Sequence, residues 1–205
     1  MRLTPNAVTL FGLPIALLVA LCIAQGSFLL GASLFLLLGG CDLLDGYIAK
    51  TRNLATPFGA FLDSSVDRVT DFILFFGILF FYLKEGDDKM VFVTGWALGG
   101  PFLVSYTRAR AEKFIPSCRV GFWERPERIG LLLVGLVFGR LEMALWILAV
   151  GTTLTALHRV LYTQRTLSGK PFRFPLLFPD YPRKSLPYWL YVAGVACIVL
   201  FVKLK

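Results

Sequence analysis

The sequence predicts an all-α integral membrane protein, built as a six-helix transmembrane bundle with an additional C-terminal hydrophobic helix. Of the 205 residues, 57% are hydrophobic, and the mean hydropathy is +0.71. A soluble domain of this size is less apolar. The apolar residues form long runs without the alternation of a strand, and the polar interruptions are concentrated at the ends of these runs, as expected for spanning helices.

Six apolar segments predict the spans, and in chain order they are 7–24, 27–49, 58–83, 89–112, 126–139 and 141–166. The fifth is short, so we expect it to borrow residues from its flanks. The segment 168–187 contains five prolines and cannot form a regular helix, which predicts an interfacial tether. A last apolar segment, about 187–202, either spans the membrane or lies against the bundle. We therefore divide the chain into a transmembrane domain, 1–167, and a proline-rich tether with a C-terminal hydrophobic helix, 168–205.

The basic residues predict the orientation of this bundle. The net charge is +8, and with six spans most cations fall at one end, which includes the loop 108–128 and the linker 50–57. The other end carries Lys84, Lys89 and Arg140. The positive-inside rule places the first end in the cytoplasm. Attraction to membrane lipids explains the basic charge, and no nucleic-acid-binding motif is present, so we expect no nucleic-acid partner.

Four carboxylates lie in the predicted membrane segments on either side of the linker 50–57. Asp42 and Asp45 are three residues apart, and Asp63 and Asp67 are four apart, so each pair shares a helix face. Clustered acids repel one another unless cations lie between them, and oxygen ligands suit two divalent ions, Mg²⁺ or Mn²⁺. The alternative is an intramembrane ion or proton relay, as in an ion-coupled transporter.

The spacing of these acids, D-x2-D-G-x2-A-K-x8-G-x3-D-x3-D, resembles the signature of the CDP-alcohol phosphotransferases, integral membrane enzymes of phospholipid headgroup synthesis. Seven of the eight fixed positions match, and Lys50 departs where the family usually has arginine. The resemblance implies that a CDP-linked lipid, usually CDP-diacylglycerol, gives its phosphatidyl group to the hydroxyl of a small polar acceptor and releases CMP. It also implies that the four aspartates bind the metals, that Asp67 is in addition the catalytic base, and that the protein is a homodimer. A carboxylate near two cations has a low proton affinity, so the alternative is that Asp67 is only a metal ligand.

The resemblance further predicts a CDP-binding set, formed by Asn6, Thr9, Gly46, Ala49, Lys50 and Gly59. Small residues allow the nucleotide to approach the backbone, and Lys50 keeps the positive charge but loses the bidentate fork of arginine. Two alternatives remain open. Small residues in membrane helices also serve close helix packing, and Asn6 is also suited to cap a helix.

The predicted acceptor-binding residues are basic or polar and lie near the ends of three spans: Ser105, Arg108, Arg125, Arg128 and Arg165. Their pattern resembles the branch of the family that makes phosphatidylinositol phosphate or its archaeal ether-lipid counterpart. Arginine clusters recognise phosphate through paired hydrogen bonds, so a phosphorylated acceptor is predicted, with inositol phosphate favoured and glycerol-3-phosphate as the alternative. The alternative is that these arginines do not bind the acceptor and only extend their charged groups to the membrane interface.

Overall fold

The computed structural model describes residues 5–51, 56–169, 192–195, 197 and 199, and within these ranges the chain is helical without strands. The helices are α1 (Pro5–Ala24), α2 (Phe28–Thr51), α3 (Pro57–Glu85), α4 (Asp88–Ala111), α5 (Arg125–Val137) and α6 (Leu141–Leu167). The predicted all-α class is confirmed, and each helix lies close to its predicted segment. The predicted tether lies outside the described residues, and so does most of the predicted C-terminal helix.

The first compact unit comprises residues 1–95, and in it α1 packs against both α2 and α3. The buried face of α1 repeats every three or four residues, at Ile15, Val19 and Ile23 among others. A Cβ atom at Gly77 of α3 would lie 2.6 Å from the carbonyl oxygen of Ala20, so glycine is required for this approach of α3 to α1. Small residues therefore bring the backbones of α1 and α3 into contact, as in other tightly packed membrane helices.

The second compact unit comprises residues 96–205, and its described core is formed by α6, α5 and the C-terminal part of α4. Two glycines make this packing possible. A Cβ atom at Gly100 of α4 would collide with Thr152, and one at Gly151 of α6 would collide with the indole of Trp123. The side chain of Trp123, from the segment before α5, is therefore seated directly on the backbone of α6.

Three helices of the described chain, α1, α4 and α6, are long and apolar enough to cross a membrane by length and composition. A shorter apolar stretch, Phe28–Leu44, belongs to α2. Large apolar side chains remain exposed on these helices, including Phe11, Leu36 and Phe102. This is the surface expected of an all-α membrane protein, because apolar side chains that would be unfavourable in water contact the lipid.

Candidate active site

The four aspartates of the sequence motif lie on two helices of the first unit. Asp42 and Asp45 belong to the last part of α2, whereas Asp63 and Asp67 belong to the second and third turns of α3. The side chains of Asp42, Asp63 and Asp67 are half-buried, and that of Asp45 lies outside the described side chains. Helices α2 and α3 both pack against α1, so both acidic pairs are carried by the same three-helix unit.

The donor chemistry of this set fits a hard divalent cation. Carboxylate oxygens are the ligands that Mg²⁺ and Mn²⁺ prefer, and the motif supplies carboxylates from two helices. Among the side chains that the structure describes, no three His, Cys, Asp or Glu residues are grouped closely enough to hold a metal ion. Asp67 has a basic neighbour, since its Oδ2 lies 3.7 Å from Nη1 of Arg68.

The residues predicted to bind the nucleotide include a pair that the fold brings into contact. A Cβ atom at Gly59 would lie 3.2 Å from Oδ1 of Asn6 and 3.1 Å from Oγ1 of Thr56. Thr56 caps α3, because its hydroxyl oxygen accepts a hydrogen bond of 3.0 Å from the Gly59 amide. The start of α1 therefore lies against the start of α3. Thr9, one turn further along α1, is buried and donates its hydroxyl to the Pro5 carbonyl at 3.1 Å.

Gly46 differs from the glycines that pack helices together. It is exposed, and no atom from the described part of the chain lies within 4 Å of a Cβ atom built there. Close packing among the described residues therefore does not require a glycine at this position. Ala49 and Lys50 follow in α2, but their side chains are outside the described set.

The predicted acceptor residues lie in the second unit, in different environments. Arg108 is 32% exposed in its side chain and contacts two glutamates. Arg128 is only 5% exposed and donates from Nη1 to the Trp123 carbonyl at 3.1 Å. Ser105 and Arg125 are half-buried, and Arg165 is exposed in the last turn of α6. The structure therefore leaves ligand-accessible surface on Arg108 and Arg165, and much less on Arg128.

Sequence reasoning missed a charged network around Arg108. Its centre is Glu124, whose Oε1 accepts hydrogen bonds of 3.3 Å from both Arg108 and Arg159. Arg159 is 2% exposed and lies within α6. A cation inside a predicted membrane span was the available signal, because such a residue must find partners inside the protein. Its partners are Val104 of α4 and, in the segment between α4 and α5, Val120 and Glu124. Sequence spacing alone does not predict contacts so distant along the chain.

The loop between α4 and α5 completes this network. Its Ile115, Cys118 and Val120 form a buried cluster with Ala111, against which Tyr162 of α6 packs. Burial raises the pKa of the Cys118 thiol. Burial also raises the pKa of Glu112, but hydrogen bonds from Arg108 and from the Cys118 amide, together with the positive charges of Arg108 and Arg119, outweigh it, so the net pKa is lowered. The loop is therefore a folded cap on the second unit, with a charged side that contains Arg108.

Comparisons with known proteins agree with the sequence motif. The sequence profile of the CDP-alcohol phosphatidyltransferase family matches residues 2–163. An archaetidylinositol phosphate synthase of Methanothermobacter thermautotrophicus is 36% identical over 171 residues, which cover 80% of this chain and 85% of that protein.

Solved structures of phosphatidylinositol phosphate synthase from Mycobacterium tuberculosis also resemble this chain. The crystal structure in complex with manganese and citrate has a TM-score of 0.73 and 32% identity, covering 79% of this chain and 83% of that one. The structure with CDP-DAG bound has a TM-score of 0.73 and 30% identity, covering 90% and 92% respectively. The predicted family and enzyme class are confirmed: this protein is a transferase that belongs to the CDP-alcohol phosphatidyltransferase family.

Proposed function

We propose that this protein transfers the phosphatidyl group of CDP-diacylglycerol to a hydroxyl of inositol phosphate and releases CMP. The observation that carries the proposal is the complete aspartate motif on α2 and α3, in a chain similar along most of its length to synthases of archaetidylinositol phosphate and phosphatidylinositol phosphate. The relatives named above share inositol phosphate in their names but differ in the lipid, archaetidyl or phosphatidyl. The names of both relatives therefore support inositol phosphate as the acceptor, whereas only one of them supports a diacyl donor.

The reaction is a displacement at phosphorus. The acceptor hydroxyl oxygen forms a bond to the phosphatidyl phosphorus, and the bond from that phosphorus to the bridging pyrophosphate oxygen breaks. CMP leaves with that oxygen and its electron pair. We assign the hydroxyl proton to the carboxylate of Asp67, which the family resemblance nominates as the base.

We assign the carboxylates of Asp42, Asp45, Asp63 and Asp67 to two divalent ions, Mg²⁺ or Mn²⁺. Such ions, when bound, neutralise the pyrophosphate charge of the donor. The manganese complex of the mycobacterial synthase supports a metal of this class. The half-buried position of Asp42, Asp63 and Asp67, which leaves each of these residues partly exposed, is compatible with this assignment.

We assign the CDP moiety to the ends of α1, α2 and α3. The contact between Asn6 and Gly59 supports this assignment, because it brings two predicted nucleotide residues from different helices together. The absence of described atoms within 4 Å of a Cβ atom at Gly46 supports it further, since a ligand could approach the backbone there. In the same proposal Thr9 lies near the nucleotide, Ala49 keeps the approach clear, and Lys50 faces a phosphate.

We assign the phosphate of the acceptor to Arg108 and Arg165, with Ser105, Arg125 and Arg128 around them. The exposed part of Arg108 and the exposure of Arg165 support the leading roles of these two arginines. Because Arg128 is almost fully buried and bonded to a backbone carbonyl, we expect its main effect to be on the position of the α5 start. Arginines recognise the phosphate of the acceptor and not the inositol ring. Glycerol-3-phosphate, which also carries a phosphate, is therefore the alternative acceptor to be tested.

We further propose that all six helices span or enter the membrane, that the active site faces the cytoplasm, and that the enzyme works as a homodimer. The three long apolar helices support the membrane location, and the distribution of basic residues supports the orientation. The homodimer rests on the family resemblance.

Acceptor kinetics test this proposal. A charged hydrogen bond to phosphate contributes about 1.5–3 kcal/mol, so Arg108→Ala and Arg165→Ala should each raise the KM for inositol phosphate about tenfold to a hundredfold. The KM for CDP-diacylglycerol should hardly move. Arg173→Ala, from the predicted tether, is the matched control and should be near neutral. Unchanged acceptor kinetics in both variants would mean that the arginines only anchor the protein in the membrane.

A further inference from the structure

The guanidinium group of Arg108 is held on two sides by carboxylates. Its Nε donates to Oε1 of Glu112 at 3.0 Å, and its Nη1 donates to Oε1 of Glu124 at 3.3 Å. A guanidinium group has five N–H donors, two of them on Nη2. No described residue accepts a hydrogen bond from Nη2 of Arg108. The side chain is therefore fixed while part of its donor set remains available to a ligand.

Glu124 is itself fixed from inside the protein by Arg159. Nη2 of Arg159 donates to the same Oε1 of Glu124 at 3.3 Å. The other donors of Arg159 bind backbone: Nε donates to the Val120 carbonyl at 2.9 Å, and Nη1 donates to the Val104 carbonyl at 2.5 Å. Val104 is one turn before Arg108 on α4, so Arg159 ties Glu124 to the same part of the helix that carries Arg108.

The burial of Arg159 separates this arrangement from an ordinary surface ion pair. Exposed ion pairs are weak because solvent screens them and because both side chains lose freedom. The Arg159 side chain is only 1% exposed, and its backbone partners restrict it to one position. Glu124, at 23% exposure, therefore contacts the immobile cation Arg159 as well as the partly exposed cation Arg108.

We propose that Glu112 and Glu124, the latter held by Arg159, are positioning residues that fix Arg108 with its Nη2 donors directed to the acceptor's phosphate. This inference rests on the proposed function, in which Arg108 binds that phosphate. A long arginine side chain otherwise loses rotamer freedom when it binds, and fixing it beforehand raises affinity. The opposite role, in which the glutamates compete with the phosphate for Arg108, predicts the opposite change in acceptor affinity.

The test is steady-state CMP release by the purified full-length protein, with inositol phosphate varied at saturating CDP-diacylglycerol. Glu112→Gln and Glu124→Gln should each raise the acceptor KM about threefold to tenfold, less than the loss of Arg108 itself, with kcat and the donor KM nearly unchanged. Glu142→Gln, which neutralises an exposed acid in the first turn of α6, is the control and should leave all three constants unchanged.

Double variants distinguish positioning from a general structural effect. In an Arg108→Ala background, neither glutamine substitution should raise the acceptor KM further, because both glutamates act through Arg108. Additive effects in that background would overturn the proposal, and so would an unchanged or lowered KM in the single variants. Glu124→Gln leaves Arg159 a buried cation without its carboxylate and could prevent folding. In that case Glu112→Gln alone tests the proposal, because the Glu112 side chain is 36% exposed and its substitution leaves no buried cation without a carboxylate.

The same series separates this inference from the proposed function. If Arg108→Ala leaves the acceptor KM unchanged, the assignment of Arg108 to the acceptor is wrong. If Arg108→Ala raises the KM but the glutamine variants do not, the assignment stands and the positioning role of Glu112 and Glu124 is wrong.

Discussion

Gly46→Ala distinguishes nucleotide binding from helix packing as the reason for a glycine at this position of α2. No described atom lies within 4 Å of a Cβ atom at Gly46, so the new methyl group meets no described part of the protein. Alanine is favoured over glycine in a helix interior by about 0.5–1 kcal/mol. For a chain of this size that gain corresponds to a rise in Tm of about 1–4 °C. We therefore expect Gly46→Ala to be slightly more stable than the wild type.

Donor binding should weaken even though the stability of the protein rises. If the CDP moiety approaches the backbone at Gly46, the methyl group displaces it by an ångström or more, and the KM for CDP-diacylglycerol should rise about tenfold to a hundredfold. Thermal unfolding and donor kinetics on the same preparation measure both effects.

Gly40→Ala is the matched control for this experiment. Gly40 also lies in α2 with no described atom within 4 Å of its Cβ position. Gly40 is two residues before Asp42, so it lies on the side of α2 opposite to Asp42. Both variants should gain the same stability, but only Gly46→Ala should lose donor affinity. Equal donor constants for the two variants would refute the claim that the nucleotide approaches Gly46.

Three further predictions concern the metals, the donor phosphate and pH. Asp63→Asn should lower turnover roughly a hundredfold or more in a protein that still inserts, and a chelator should abolish wild-type turnover until Mg²⁺ or Mn²⁺ is added; full activity in chelator would exclude the two-metal assignment. Lys50→Arg should retain activity, whereas Lys50→Ala should raise the donor KM more than the acceptor KM; an unchanged donor KM would show that Lys50 does not face the nucleotide. Since the folded-state pKa of Glu112 is lowered, its stabilising effect is present above the ordinary value of 4.5 and is lost as pH falls through the lowered value. The Tm of the wild type should therefore exceed that of Glu112→Gln near neutral pH, and the difference should shrink below pH 4.5; a constant difference would contradict the ion pair with Arg108.

The helices were predictable because each contains an apolar run, long in every case except α5, and because the residues at the ends of some runs have clear preferences. Pro57 begins α3 directly after its cap Thr56, and Gly86, with a φ of 71°, ends it, so both ends are visible in the sequence. The motif fixed the placement of the aspartates on α2 and α3 in the same way, because helical spacing of three and four residues sets the shared face.

The acceptor side was less predictable, because it depends on contacts distant in sequence. Arg108 was predicted from a local pattern, but its partner Glu124 is 16 residues away, and Arg159 is 35 residues from Glu124. The burial of Arg128 was not predictable either, since its carbonyl partner belongs to Trp123, whose indole packs on the distant Gly151 of α6. Periodicity reports which helix face is apolar, but not which loop covers it.

CMP release from CDP-diacylglycerol by the purified protein, measured against a panel of acceptors, tests the central claim most directly. The panel contains inositol phosphate, glycerol-3-phosphate and free inositol, each with Mg²⁺ or Mn²⁺ present. We predict rapid CMP release with inositol phosphate, a much lower kcat/KM with glycerol-3-phosphate, and little release with free inositol. Preferred use of free inositol or of glycerol-3-phosphate would contradict the acceptor assignment, and failure to release CMP with any acceptor would contradict the proposed transferase reaction itself.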